Sequence, residues 1–211
     1  MNSITTLTEE VITVGDLVSA IGRVAEAMDL AAAELNAADG ALGDGDIGIT
    51  VSRGFAEAAN AEFPEDIGGA LVACAKSIQR VSSSSYGTLL ATAFLAAAKK
   101  CNGRSSIETV EISQLVDAAL TAMMARGRGQ LGDKTVLDIL KAIVDATASS
   151  PPSDIYANSL AAARATLEAF KAKPNKLGRA RMFGAASIGL YDPGQLAMVR
   201  IIEALRPVDR N

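Results

Sequence analysis

Asp39-Gly40-Ala41-Leu42-Gly43-Asp44-Gly45-Asp46-Ile47-Gly48 sets three aspartates among four glycines, at spacings i, i+5 and i+7. Helical neighbours lie three or four apart, so this spacing does not gather the carboxylates on one helix face. Glycine alone takes positive φ without penalty, so the stretch predicts a tight, irregular loop. Three crowded carboxylates repel one another unless a cation sits between them. Mg²⁺ suits such a place, since it uses a few carboxylates together with substrate phosphates. The plain alternative is a solvated Asp-Gly turn. An EF-hand does not fit: counting from Asp44, position 5 is Gly48 and position 12 is Phe55.

Outward from this loop the apolar period is helical on both sides. Leu17, Ile21, Val24, Met28, Ala31 and Leu35 recur at spacings of four and three, predicting an amphipathic helix that ends just before Asp39. Val51, Phe55 and Ala58 begin a second helix, and Pro64 interrupts it. Ile67, Leu71, Cys74 and Ile78 give a third, and Tyr86, Leu89, Leu90, Ala93, Phe94 and Ala97 a fourth. Ile112 to Met123 form a fifth, ending at Arg126-Gly127-Arg128-Gly129. Asp133 reads as the N-cap of a sixth, with Val136, Ile139, Leu140 and Ile143 on its inner face. After the Ser149-Ser150-Pro151-Pro152 connector, Ile155 to Phe170 form a seventh, and Leu196 to Leu205 the last. Pro174 to Gly194 carry no clear period, and no run of period-two alternation stands out. About eight helices of three to five turns with short connections imply an all-α antiparallel bundle. In an up-and-down bundle, the loops at 38–48, 82–87, 127–134 and 174–194 follow alternate helices and fall at one end.

Composition agrees. The 211 residues suit one domain, 1–211, and alanine and leucine carry an apolar content of 49% with only 4% aromatics. A net charge of −4 gives no electrostatic footprint for nucleic acid. Met1 to Glu10 are polar and show no signal peptide, and no apolar run approaches the ~20 residues of a membrane span. Cys74 and Cys101 read as small buried hydrophobes in a reducing, cytoplasmic setting. The sequence has no histidine, which excludes phosphohistidine carriage or a histidine metal site on these residues.

Three further segments at the shared rim carry polar chemistry. Ser82-Ser83-Ser84-Ser85 opens a helix, where hydroxyls and free N–H groups either hold a phosphate or simply cap. Arg126 to Thr135 resembles a phosphate loop without being a Walker A motif, because Asp133 occupies the lysine position. Lys176, Arg179 and Arg181 form a basic patch on the structureless loop, suited to a transferring phosphoryl group or to plain solvation. Asp192 reads as an N-cap, with Pro193 at the first helical position.

In order along the chain, Leu42-Gly43-Asp44-Gly45-Asp46-Ile47-Gly48, Arg53-Gly54-Phe55, Arg126-Gly127, Gly132-Asp133-Lys134-Thr135, Gly178-Arg179-Ala180, Ser187-Ile188-Gly189 and Asp192-Pro193-Gly194 resemble the nucleotide-binding L subunit or L domain of dihydroxyacetone kinases. The resemblance implies an eight-helix antiparallel up-and-down barrel with nucleotide at one rim. It implies that Asp39, Asp44 and Asp46 ligate two Mg²⁺ ions. It implies that Ile47, Gly48, Ile49, Thr50, Ser82, Ser83, Gly127, Val136, Arg179, Asp192, Pro193 and Gly194 surround ATP or a tightly bound ADP, with Arg179 as the catalytic cation. One departure stands out: where the family usually has Gly-Gly-x-Ser-Gly, this chain reads Gln79-Arg80-Val81-Ser82-Ser83, placing larger side chains where nucleotide or partner would sit.

The function so implied is phosphoryl transfer to dihydroxyacetone or a related hydroxyketone or tetrose. A separate K-type subunit would hold that substrate, so the chain alone is expected to be inactive and to work in an oligomer. The donor is free ATP, or ADP recharged in place by a phosphohistidine protein. The alternatives are a nucleotide-sensing module acting on a transcription regulator, or a kinase domain whose acceptor is carrier-bound fatty acid.

Overall fold

The computed structural model describes residues 11–207; the polar Met1–Glu10 stretch lies outside the described residues. Eight α-helices make up most of these residues: α1 Val14–Gly40, α2 Ile47–Ala59, α3 Ile67–Val81, α4 Ser85–Lys100, α5 Ile112–Gly127, α6 Val136–Thr147, α7 Ile155–Lys171 and α8 Pro193–Ala204. Each helix packs on its neighbours in the chain, and α8 returns to pack on α1, so the antiparallel ring closes. The all-α class follows from residue choice as expected. Apolar side chains recur on one stripe of each helix and meet in one main core that includes Met28, Leu35, Val51, Phe55, Met123 and Ile139. Cys74 and Cys101 are free and buried, as their apolar surroundings suggest.

Several boundaries differ from the periodicity. Helix α1 runs through Gly40, past the expected stop before Asp39, so Asp39 stands in its last turn. At 27 residues it is also longer than the other helices. The N-cap of α6 is Thr135, not Asp133: Thr135 accepts from Leu137 N, and Asp138 closes a capping box from the third helical position. Asp133 instead accepts from Gln130 N at 2.8 Å, inside the preceding turn. Val11–Thr13 (β1) and Ser106–Glu108 (β2) pair antiparallel. Three residues are too few for an alternation signal, which is why the sequence concealed this ribbon. The aperiodic stretch before α8 contains 3₁₀ turns over Arg179–Ser187, broken by Gly184 at φ +48°. Among the described residues no helix is long and apolar enough to cross a membrane.

Candidate functional site

A cavity of about 680 Å³ opens at one rim of the ring. All four loops assigned to that end contribute to its wall, through Asp39, Asp44 and Asp46, then Ser83, then Gly127, then Arg179. The alternation of helix direction is what brings them together.

The acidic cluster is assembled by two helix ends. Single oxygens of Asp39, Asp44 and Asp46 lie within 4.8 Å of one another. Asp39 Oδ2 accepts the backbone N–H groups of Asp46 at 2.9 Å and Ile47 at 3.2 Å. One turn earlier, Asn36 Oδ1 accepts those of Gly48 at 2.8 Å and Ile49 at 3.3 Å. The exposed N–H groups that begin α2 are therefore satisfied by side chains from the end of α1, and the turn between them is pinned. Two glycines make this possible. Gly45 sits at φ +76°, and a Cβ on Gly43 would stand 2.6 Å from Asp39 Oδ1.

Crowding shows in the electrostatics. Burial, then Asp44, then Asp39 push the Asp46 carboxyl above its ordinary range, and Arg179 opposes them. Arg179 reaches across the rim to form an ion pair with Asp44. The donor set fits a hard divalent cation: it is all oxygen and mutually repelling, and Asp39 within it is held by backbone hydrogen bonds.

Beside the cluster, Ser84 caps α4 by accepting from Gly87 N at 3.0 Å. Ser82 Oγ lies 3.1 Å from Ser84 Oγ, and Thr50 Oγ1 donates to Ser84 Oγ at 3.2 Å. Gln79 and Arg80 do not fill the cavity. Both are exposed, neither lines the wall, and Arg80 turns to an ion pair with Glu57 of α2.

Opposite, Asp192 caps α8 by accepting from Gln195 N at 2.8 Å. Asn175 Nδ2 donates to Asp192 Oδ1 at 2.7 Å. Burial raises the Asp192 carboxyl to about 6 against the pull of those bonds and of Lys134. Tyr86 OH donates to Gly194 O at 3.0 Å, tying α4 to α8 across the cavity.

Of the expected site residues, Asp39, Asp44, Asp46, Ile47, Ser83, Gly127, Val136, Arg179, Asp192, Pro193 and Gly194 line this cavity. Gly48, Ile49, Thr50 and Ser82 are not on its wall. Gly48 faces α1 so closely that a Cβ would fall 2.1 Å from Ala32 O. Ile49 is exposed, and Thr50 and Ser82 spend their hydroxyls on the Ser84 cap. The wall also includes Ser84 and Arg126, from two rim segments already noted, and Tyr86, read from the sequence only as part of the fourth helix. Arg126 lies beside Gly127 in a motif already noted, so its place was available from adjacency alone.

The chain is similar to known proteins along most of its length. Residues 41–207 match the DAK2 domain. The chain is 31% identical over 200 residues to the ADP-binding subunit DhaL of the PTS-dependent dihydroxyacetone kinase of Lactococcus lactis subsp. lactis (strain IL1403), spanning 93% of this chain and 98% of that protein. It is 27% identical over 185 residues to the ADP-binding subunit DhaL of the PEP-dependent dihydroxyacetone kinase of Escherichia coli (strain K12), spanning 81% and 85%. The triokinase/FMN cyclase of Mus musculus is 32% identical over 186 residues, which are 82% of this chain but 31% of that protein. The crystal structure of the dihydroxyacetone kinase from C. freundii in complex with AMP-PNP and Mg²⁺ superposes with a TM-score of 0.70 at 22% identity, over 97% of this chain and 36% of that one. At that identity the superposition shows a shared fold.

Proposed function

This chain belongs to the DAK2 domain family, and on that premise we propose that it is the Mg–nucleotide subunit of a two-component kinase. Its acceptor is dihydroxyacetone or a related small hydroxyketone or tetrose, presented by a separate K-type subunit in the cytoplasm. The observation that carries this proposal is the meeting of three aspartates and an arginine at one cavity walled also by the starts of α4, α6 and α8 and the end of α5.

Asp39, Asp44 and Asp46 are the residues that would hold Mg²⁺, two ions in this proposal. Bound there, Mg²⁺ supplies charge neutralisation for the nucleotide phosphates. Asp39 needs no reorganisation to serve, because two backbone N–H groups already fix one of its oxygens. Asp44 keeps its carboxylate turned toward Arg179. Arg179 brings a guanidinium to the same point from the opposite loop, where it would stabilise charge on a transferring phosphoryl group. Ser83, just ahead of the Ser84 cap of α4, lines the cavity as a phosphate contact. Gly127, Val136 and the Asp192–Gly194 turn form the remaining wall around the nucleotide.

The donor proposed is a phosphohistidine protein that recharges retained ADP. Support comes from the relatives matched over most of their own length, such as those of L. lactis and E. coli, which are named PTS- or PEP-dependent ADP-binding subunits. Reconstitution tests this. The purified chain is mixed with a K-type subunit, dihydroxyacetone and either ATP or a phosphoenolpyruvate-driven phosphohistidine protein. Phosphorylated dihydroxyacetone is expected only when the K-type subunit is present, faster with the phosphoprotein, and at least ~100-fold slower for Arg179→Ala. Turnover without any K-type subunit, or an Arg179→Ala rate equal to wild type, would contradict the proposal.

A further inference from the structure

Lys134 is a lysine with no exposed surface, and its ammonium serves the loop that carries Arg179. Its Nζ donates to Lys173 O at 2.8 Å and to Ser187 O at 2.9 Å. Those two carbonyls are fourteen positions apart and mark the two ends of the rim loop. A second layer of bonds ties the same base. Lys134 O accepts from Asn175 Nδ2 at 3.0 Å, and Asn175 N donates to Ser187 Oγ at 2.9 Å. Lys176 N donates to Asp133 O at 3.0 Å, and Gly189 N to Lys171 O at 2.8 Å.

Burying an ammonium is costly unless hydrogen bonds and a counter-charge compensate it. Here burial lowers the Lys134 pKa and the Asp192 carboxylate opposes that shift. Lys134 also holds φ +62°, an uncommon backbone state for a residue with a side chain. A charged, conformationally restricted lysine that bonds both ends of one loop marks a constraint on that loop. The loop itself has little apolar anchorage: Arg179, Met182 and Phe183 are exposed. Its guanidinium nevertheless lands on Asp44, across the rim.

We propose that Lys134 is a positioning residue: it clamps the base of the 174–189 loop and so sets Arg179 against the acidic cluster. The inference deepens the proposed function, on which its link to nucleotide rests. The clamp is a property of the protein without nucleotide.

The test pairs two measurements on Lys134→Met, which keeps volume but removes charge and donors. Hydrogen exchange without nucleotide should quicken about tenfold at Lys176 and Gly189, with α1 to α4 unchanged, because the carbonyls at both ends of the loop lose their donor. Mg–ADP affinity should fall by the same factor as in Arg179→Ala, and Lys134→Met combined with Arg179→Ala should be no weaker than Arg179→Ala alone. A merely structural lysine would instead quicken exchange across the helices, and its effect on affinity would add to that of Arg179→Ala. Either result overturns the clamp, as does unchanged exchange in the loop. Lys134→Gln retains amide N–H donors on a shorter, uncharged side chain and should give the same pattern at reduced size, so a Met variant that does not fold leaves the question decidable. Wild-type protein that fails to bind Mg–ADP would contradict the proposed function, while the exchange data would still decide the clamp.

Discussion

Gly43 has no side chain, and that sets where the Asp39 carboxylate stands. A methyl there would meet Asp39 Oδ1 at 2.6 Å and Asp39 O at 3.2 Å, so the carboxylate would have to rotate away from its two N–H donors. Gly43→Ala is therefore expected to weaken Mg-dependent ADP binding about tenfold while leaving the melting temperature within a few degrees, since the turn adds little core. Calorimetry and thermal unfolding on the same preparation check this; full affinity in the variant would show that Asp39 does not need its present rotamer. At this scale the aspartate spacing was legible from the sequence, because carboxylate crowding is visible in the residue order itself. The place of Lys134 was not. A lysine in a glycine-rich turn looks solvated, and only the path of a distant loop buries it.

Helix pairs show a similar division. Gly48 on α2 packs against the α1 backbone, with a Cβ position 2.1 Å from Ala32 O, whereas Gly22 in the middle of α1 has nothing within 4 Å of its Cβ position. The two glycines should respond oppositely to alanine. Gly48→Ala must push the helices apart and is expected to cost ~1–3 kcal/mol. Gly22→Ala gains helix propensity and should stabilise by ~0.5–1 kcal/mol. Urea unfolding of both variants reads the difference; equal midpoints would contradict the close approach of α1 and α2. The period-3.6 stripes placed the eight helices well, because each needs an apolar face for the core. Their ends were harder to place. Asp39 lies inside α1, and α6 begins at a Thr135–Asp138 capping box rather than at Asp133, since caps depend on local hydrogen-bond geometry that apolar spacing does not encode.

Closure of the whole ring depends on α8 meeting α1. Arg200 on α8 bonds Glu34 of α1 through two nitrogens at 2.8 and 2.6 Å, and bonds Glu203 one turn along at 2.8 Å. Apolar contacts from Leu196, Val199 and Ile202 lie in the same core as Val24 and Met28. Once the ring is closed and antiparallel, alternate loops must share a rim, and this parity was deducible from helix count alone. The inner wall was less so. Gly48 stands off the cavity because it packs tightly on α1, Thr50 and Ser82 because the Ser84 cap occupies them, and Ile49 because it is exposed elsewhere, and none of these constraints is written in a linear motif.

Mg²⁺ held by the acidic cluster at this rim is what we propose joins the nucleotide to the protein. Calorimetric titration of ADP into nucleotide-free protein, with Mg²⁺ and then with EDTA, tests it most directly when repeated on Asp44→Ala. Tight binding is expected with Mg²⁺, at least tenfold weaker binding in EDTA, and a comparable loss in Asp44→Ala at unchanged helix content, because a metal ligand is gone while the core is intact. Equal ADP affinity with and without Mg²⁺, or an Asp44→Ala isotherm that overlays the wild-type one, would contradict it.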